Sequence, residues 1–333
     1  MKLEQMPRYP LLCGFTPLQR MENLEQALGC GPLYIKRDDL TPLGLGGNKT
    51  RKLEFLLGDA LAGGADTLVT VGGVQTNHGR LTAAAAAKAG LACTLVLDGA
   101  RPEELSGNLL LDCLLGASLV YTDGRSAPAV IEETLAALRA AGRAPYFIPE
   151  GGSNAVGSAG YLAMVPELLA QAGSLPVPPA RLVCTMGSLG TFAGLWLGAR
   201  AFGAPFSVTG VAVNPTTRYT REKAAALVNE MSAAYGLDIA AAPQDMDIIY
   251  ADAAHDYAGP GYNVPDAKTR GAVELLARTE GIFLDPCYTA KSFRGFCDIA
   301  RELDGGAIFV HTGGTPALWT QEHLDAFAAD YWN

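Results

Sequence analysis

The sequence predicts an α/β protein whose mainly parallel, doubly wound open sheets are divided between two lobes. Three observations predict this. Short β-branched runs alternate with longer Ala/Leu-rich stretches along all 333 residues, the strand–helix–strand rhythm of parallel sheets. Apolar residues make up 49% of the chain and charged residues 18%, enough for a substantial core and far from disorder. The strand candidates would crowd one sheet at this length, and two sheets hold them more comfortably.

Strands are expected at 33–37, 67–72, 93–98, 118–122, 146–150, 181–186, 206–213, 247–251 and 307–312, where β-branched and aromatic residues concentrate. Helices are expected at about 49–62, 77–89, 105–115, 127–141, 155–172, 190–202, 218–235, 266–280 and 288–303. The segment SLPVPPA (174–180) is the clearest Pro-rich joint. No internal repeat is evident, and Ala83–Ala87 reads as plain helix.

Composition excludes several function classes. With 25 basic and 34 acidic side chains the formal charge is −9, which argues against nucleic acid or an anionic membrane as partner. No stretch reaches the roughly 18 uninterrupted apolar residues of a membrane span. The opening MKLEQMPRYP has no apolar run, so no secretory signal is expected. Seven cysteines without CxxC spacing suit reduced thiols in a cytoplasmic protein, and four scattered histidines make a metal centre unexpected.

In open α/β sheets ligands sit where strands end and helices begin. Four such loops stand out. The first, TPLGLGGNKTRKLEF (41–55), runs through glycines into a helix with Lys49 near its first turn. The helix dipole opposes a cation there, so Lys49 is costly unless its amine is neutral or covalently used. The plainer reading is a solvated lysine in a basic patch with Arg51 and Lys52. The second, VGGVQTNHGR (71–80), places Gln75, Thr76, Asn77 and His78 in succession. A helix cap accounts for one of them; four together suit ligand contact. The third, CTMGSLGTFAG (184–194), sets Gly187, Ser188, Leu189, Gly190 and Thr191 between strand and helix. Its N–H groups and hydroxyls suit a phosphate dianion, although a tight turn alone would look the same. It lacks the Lys-Ser/Thr of a nucleotide loop and the acidic residue of a dinucleotide fingerprint, so a small, singly phosphorylated cofactor fits better. The fourth, FVHTGGTPAL (309–318), brings Thr312 to a strand end, or is simply a capped turn.

In their order along the chain, GGNKTRKLE, GGVQTNHGR, GSLGT, GPGYNVP, GIFLDPCYTAK and FVHTGGTPAL resemble the fold type II pyridoxal 5′-phosphate enzymes. More narrowly they are similar to the branch that holds D-cysteine desulfhydrase and 1-aminocyclopropane-1-carboxylate deaminase. The likeness runs from about Pro17 to Leu318. It implies a tryptophan synthase β-like pair of lobes with the cofactor between them: a small α/β domain at 50–160, and a large domain formed by 1–49 with 161–333. It implies Lys49 as the Schiff-base lysine and catalytic proton shuttle, Asn77 at the phenolic oxygen, residues 187–191 around the phosphate, and Thr312 at the pyridine nitrogen. Tyr262 and Tyr288 would face the substrate as catalytic groups. Thr76 would join them, and Gln75, His78 and Thr289 would complete the substrate pocket. A homodimer is also implied.

The reaction implied is α,β-elimination from a small amino acid. D-cysteine, giving pyruvate, sulfide and ammonia, comes first because Thr289 and Thr312 stand where the deaminases resemble one another in carrying Glu and Leu. The deaminase reaction remains the alternative, as does sulfite release from L-cysteate, for whose second acid group Arg80 and Arg218 are candidates. A non-catalytic sensor of the cofactor is the rival outside enzymology; the joint presence of Lys49, Tyr262 and Tyr288 argues against it. Two departures from the family pattern are Thr76 for a serine and Leu189 for a glycine. Positive φ would be expensive for the latter.

Overall fold

The computed structural model describes residues 2–214, 219–252 and 255–332. Among the described residues ten strands follow in chain order: β1 (Leu18–Arg20), β2 (Leu33–Arg37), β3 (Thr67–Gly73), β4 (Ala92–Asp98), β5 (Ser118–Tyr121), β6 (Pro145–Ile148), β7 (Pro179–Met186), β8 (Ser207–Ala212), β9 (Ile248–Ile249) and β10 (Gly306–His311). They form two sheets, of order β1-β2-β10-β7-β8-β9 and β5-β4-β3-β6. Every pairing is parallel except β1 with β2. All nine expected strands are present, although β9 shrinks to two residues. The added strand, β1, is a three-residue antiparallel edge too short to show a periodicity.

The helices are α1 (Glu22–Leu28), α2 (Lys49–Ala62), α3 (Asn77–Ala89), α4 (Gly107–Leu114), α5 (Ala127–Ala140), α6 (Ala155–Leu162), α7 (Met164–Ala172), α8 (Gly190–Ala201), α9 (Arg221–Tyr235), α10 (Ala267–Glu280), α11 (Thr289–Glu302) and α12 (Gln321–Trp332). The single helix expected at 155–172 is two, broken at Ala163 just ahead of Pro166. The helix expected from 218 begins at Arg221, and residue 218 lies outside the described residues. No described helix is long and apolar enough to cross a membrane.

Strand periodicity explains why both faces of the larger sheet are covered. Leu182, Cys184 and Met186 of β7 and Ile308 and Val310 of β10 enter one core with residues of α8 and α9. Their alternates Val183, Ala307 and Phe309 enter a second core with α10 and α11. The smaller sheet buries Leu68, Leu95, Leu97 and Ile148 against Leu53, Leu56 and Leu57 of α2 and Leu81 of α3. The Pro-rich segment 174–180 joins α7 to β7, and is therefore a loop of the larger layer rather than a joint between the sheets.

A buried ion network holds α2 in place. Arg51 donates to Asp38 Oδ2 at 2.7 Å and to Glu167 Oε2 at 2.9 Å, and Lys36 pairs with Glu167. Tyr161 adds its hydroxyl to Asp38 at 2.6 Å. Burial alone would raise the pKa of Asp38, but the Arg51 guanidinium holds it below the ordinary carboxylate value. With both partners buried, breaking this network would leave an uncompensated charge.

Candidate active site

A cavity of about 700 Å³ opens between the two sheets at the carboxyl ends of β3, β7 and β10. Lys49, Thr76, Asn77, His78, Gly187, Ser188, Thr191, Tyr262, Tyr288 and Thr312 all line it, so one site receives all four loops.

Lys49 is the first residue of α2, and the loop before it is bent so tightly that Gly46 has φ +74. A Cβ at Gly46 would lie 1.8 Å from the Asp39 carbonyl oxygen, which only glycine avoids. Asn48 joins two of the loops: its Oδ1 accepts from Lys49 Nζ at 2.9 Å, and its Nδ2 donates to Thr191 Oγ1 at 3.0 Å. The Lys49 amine therefore faces the 187–191 turn. Burial, and next the Arg80 guanidinium, lower its pKa from 10.5 to about 8.

Thr76 performs the plain cap reading, accepting from Gly79 N–H at 3.2 Å, and still lines the cavity. Asn77 Oδ1 accepts from Asn108 Nδ2 at 2.9 Å, which turns its NH₂ toward the remaining space. His78 is buried with Nε2 2.8 Å from Thr70 Oγ1; burial and the two lysines 49 and 52 push its pKa well below 6.5. Tyr262 and Tyr288 meet edge to face at 5.9 Å, and burial raises both phenols well above 10. Gly187 seats the second ring, since a Cβ there would lie 2.7 Å from Tyr288 Cε1.

Four sequence-expected residues lie off the cavity wall. Gln75 is tied to α4, accepting from Asn108 N–H at 2.8 Å and donating to Ser106 O at 3.2 Å. Leu189 packs into the core of α8 in ordinary helical backbone (φ −79, ψ −29), so the strain expected of it does not arise. Gly190 directs its N–H to Ser153 Oγ at 3.1 Å. Thr289 turns its hydroxyl onto Asp285 Oδ1 at 2.6 Å rather than into the cavity. Arg80 is fully buried against the carbonyls of Gly44 and Gly46, which removes it as a partner for a substrate acid group. Arg218 lies outside the described residues.

Other residues at the site were not singled out from sequence. Asp285 accepts from the N–H groups of Cys287, Tyr288 and Thr289 at 3.0, 2.8 and 2.8 Å, capping α11 and fixing Tyr288. Glu150 and Gly151 line the cavity from the PEGGSN loop, a fifth glycine turn after a strand and the one signal that pointed here. Lys52, one turn beyond Lys49, is fully buried and donates to Gly151 O at 2.8 Å and Ser153 Oγ at 3.4 Å.

The model of the family described as "Pyridoxal-phosphate dependent enzyme" matches residues 10–313. A D-cysteine desulfhydrase from Yersinia enterocolitica is 41% identical over 328 residues, covering 96% of this chain and 97% of that protein. The chain belongs to the pyridoxal-phosphate dependent enzymes. A crystal structure of an ACC deaminase homologue superposes with a TM-score of 0.88 at 36% identity, over 98% of this chain and 97% of the other. A fungal L-serine ammonia-lyase from Rhizomucor miehei shares the fold, with a TM-score of 0.65 at 20% identity over 96% and 98% of the two chains.

The residues present fit that cofactor. Lys52 carries a buried amine whose hydrogen-bond partners among the described residues are neutral oxygens. Burial and the Lys49 charge push its pKa well below 10.5. A Cβ placed on Gly190 would lie 2.8 Å from its Nζ, so this amine sits directly at the first turn of α8. The N–H groups of a first helical turn have no intrahelical acceptor, and the dipole there favours an anion. A phosphate dianion supplies what both lack.

Proposed function

We propose that this chain is a lyase that carries out α,β-elimination on a small amino acid, D-cysteine first, consuming one water and releasing pyruvate, sulfide and ammonia. Bound in the cavity, pyridoxal phosphate supplies an aldehyde for amines and a ring that withdraws electrons from Cα. Lys49 would hold it, and its amine would take the Cα proton; a pKa near 8 suits a base working close to neutrality. Lys52, Ser188, Thr191 and the first turn of α8 hold the phosphate. Asn77 donates to the phenolic oxygen, and Thr312 offers a neutral hydroxyl to the pyridine nitrogen. The hydroxyl of Thr76 binds the substrate carboxylate. Tyr262 and Tyr288, kept protonated by burial, face the leaving group as donors.

The observation that carries this reading is Asn48, whose one side chain touches both the Lys49 amine and Thr191 of the anion turn. The likeness to an ACC deaminase homologue keeps ring opening of 1-aminocyclopropane-1-carboxylate as the second reading. Thr312 on the cavity wall favours the desulfhydrase, while Thr289, turned onto Asp285, no longer discriminates. Holoenzyme given D-cysteine, L-cysteine, 1-aminocyclopropane-1-carboxylate, D-serine and L-cysteate separates the readings. Sulfide and pyruvate from D-cysteine are expected; 2-oxobutanoate and ammonia from the cyclopropane alone would replace the first reading by the second.

The division into a lobe at 50–160 and a lobe formed by 1–49 with 161–333 belongs to the same proposal, supported by a smaller sheet that falls between Thr67 and Ile148. So does a cytoplasmic homodimer. Seven free cysteines support a reducing compartment, and exposed Leu105, Leu110, Leu114 and Trp319 offer apolar surface for a second copy.

A further inference from the structure

Behind Asn77 lies a cluster of buried polar side chains that the reaction does not use. Asn108, fully buried at the start of α4, donates its two Nδ2 hydrogens to Asn77 Oδ1 and to the Gln75 carbonyl, each at 2.9 Å. Its own Oδ1 is buried and has no partner among the described residues. Asp112 stands one turn further along the same face of α4, fully buried, with both carboxyl oxygens likewise unpartnered. Arg80, whose charge reaches Asp112, directs two N–H groups to the Gly44 and Gly46 carbonyls; its Nε is buried without a partner, and no ion pair joins it to Asp112 among the described residues.

Three buried acceptor oxygens on one helix face, none with a hydrogen-bond partner among the described residues, are costly as they stand. The cost falls if one carries a proton that it can donate to another, and a carboxyl group is the one able to do so, the acid being neutral as well. We propose that Asp112 is held as the neutral acid and donates to Asn108 Oδ1, forming a positioning relay that makes Asn77 present its NH₂, and never its carbonyl, to the cofactor ring. Burial also raises the Asp112 pKa to about 8, in keeping with a protonated group at neutral pH. The relay fixes amide polarity step by step: acid to Asn108 carbonyl, Asn108 NH₂ to Asn77 carbonyl, Asn77 NH₂ to the cavity.

This inference rests on the reading of Asn77 as the partner of the phenolic oxygen, and the test separates the two. The visible band of the lysine-bound cofactor changes with pH as the shared proton leaves. A donor to the phenolic oxygen weakens that oxygen's hold on the proton, so losing the donor raises the midpoint by about one unit. Purified holoenzyme variants Asn77→Ala, Asn108→Asp, Asp112→Ala and Asp112→Asn are titrated spectroscopically. The pyridoxal phosphate Kd of each apoprotein and its urea midpoint are measured alongside. The first three should raise the band midpoint, and Asp112→Asn, whose amide still donates, should restore it most of the way. A midpoint moved by Asn77→Ala but not by Asn108→Asp or Asp112→Ala overturns the relay. Equal shifts in Asp112→Asn and Asp112→Ala, the mark of an ionised Asp112 acting on Arg80, also overturn it. No shift in Asn77→Ala removes the Asn77 reading and the relay with it. Should Asp112→Ala fail to fold, Asn108→Asp and Asp112→Asn still decide.

Discussion

Replacing Lys52 by methionine should move cofactor affinity and apoprotein stability in opposite directions. Lys52 is fully buried, and among the described residues its amine donates to the Gly151 carbonyl and the Ser153 hydroxyl. Without an anion, the apoprotein bears the desolvation of this amine, either as an uncompensated cation or as the cost of giving up its proton, its pKa being pushed well below 10.5. Methionine keeps the length and apolar stem while removing the amine, so the apoprotein should gain stability. With phosphate bound, Lys52 as the ammonium makes a charge-assisted hydrogen bond worth about 1.5–3 kcal/mol. At about 1.4 kcal/mol per decade, its loss weakens binding about 10- to 100-fold. Titrating each apoprotein with pyridoxal phosphate by intrinsic fluorescence gives the Kd, and urea unfolding gives the midpoint, with the slope m expected to stay constant. An unchanged Kd would refute the placement of phosphate at this lysine. A lower urea midpoint would refute the account of Lys52 as a desolvation cost in the apoprotein.

Three further outcomes follow from the same geometry. Capture of pyridoxal phosphate by the apoprotein requires the neutral Lys49 amine, so its rate should climb as pH rises through about 8 and level off above it; stopped-flow absorbance showing no rise until pH 10 would contradict the depressed pKa. Arg51→Met strands Asp38 and Glu167 in the interior and should cost about 3–5 kcal/mol in urea unfolding, whereas a surface ion pair would cost under about 1. Gly187→Ala places a methyl 2.7 Å from Tyr288 Cε1 and should lower kcat/KM about tenfold with a urea midpoint close to the parent's, because the displaced ring faces a cavity rather than packed core.

The strands were legible because β-branched runs and helical stretches differ sharply along this chain. The β1 edge was not, since three residues carry no period, and neither was α1, which is seven residues long; α12 went unread although its faces contrast as much as those of α8 and α9. The split between α6 and α7 lay in plain view at Pro166 but yields to the continuous apolar pattern around it. At the site, the glycine loops pointed to the right places while individual side chains diverged. Lys52 reads in sequence as a solvated partner of Arg51, yet both are buried, one beside the anion turn and the other in an ion network. Gln75 and Thr289 have the chemistry of ligands and turn it inward, onto α4 and Asp285. Direction and burial of a polar side chain depend on partners far along the chain, and local pattern does not carry them.

The claim on which all else depends is that the Lys49 amine, facing the 187–191 turn, is the group that captures pyridoxal phosphate. Borohydride reduction of the purified holoenzyme, followed by proteolysis and mass mapping, fixes the cofactor to whichever amine holds it. The account predicts a single phosphopyridoxyl group on the peptide at Lys49. Its recovery on Lys52, or on no lysine at all, would contradict the account.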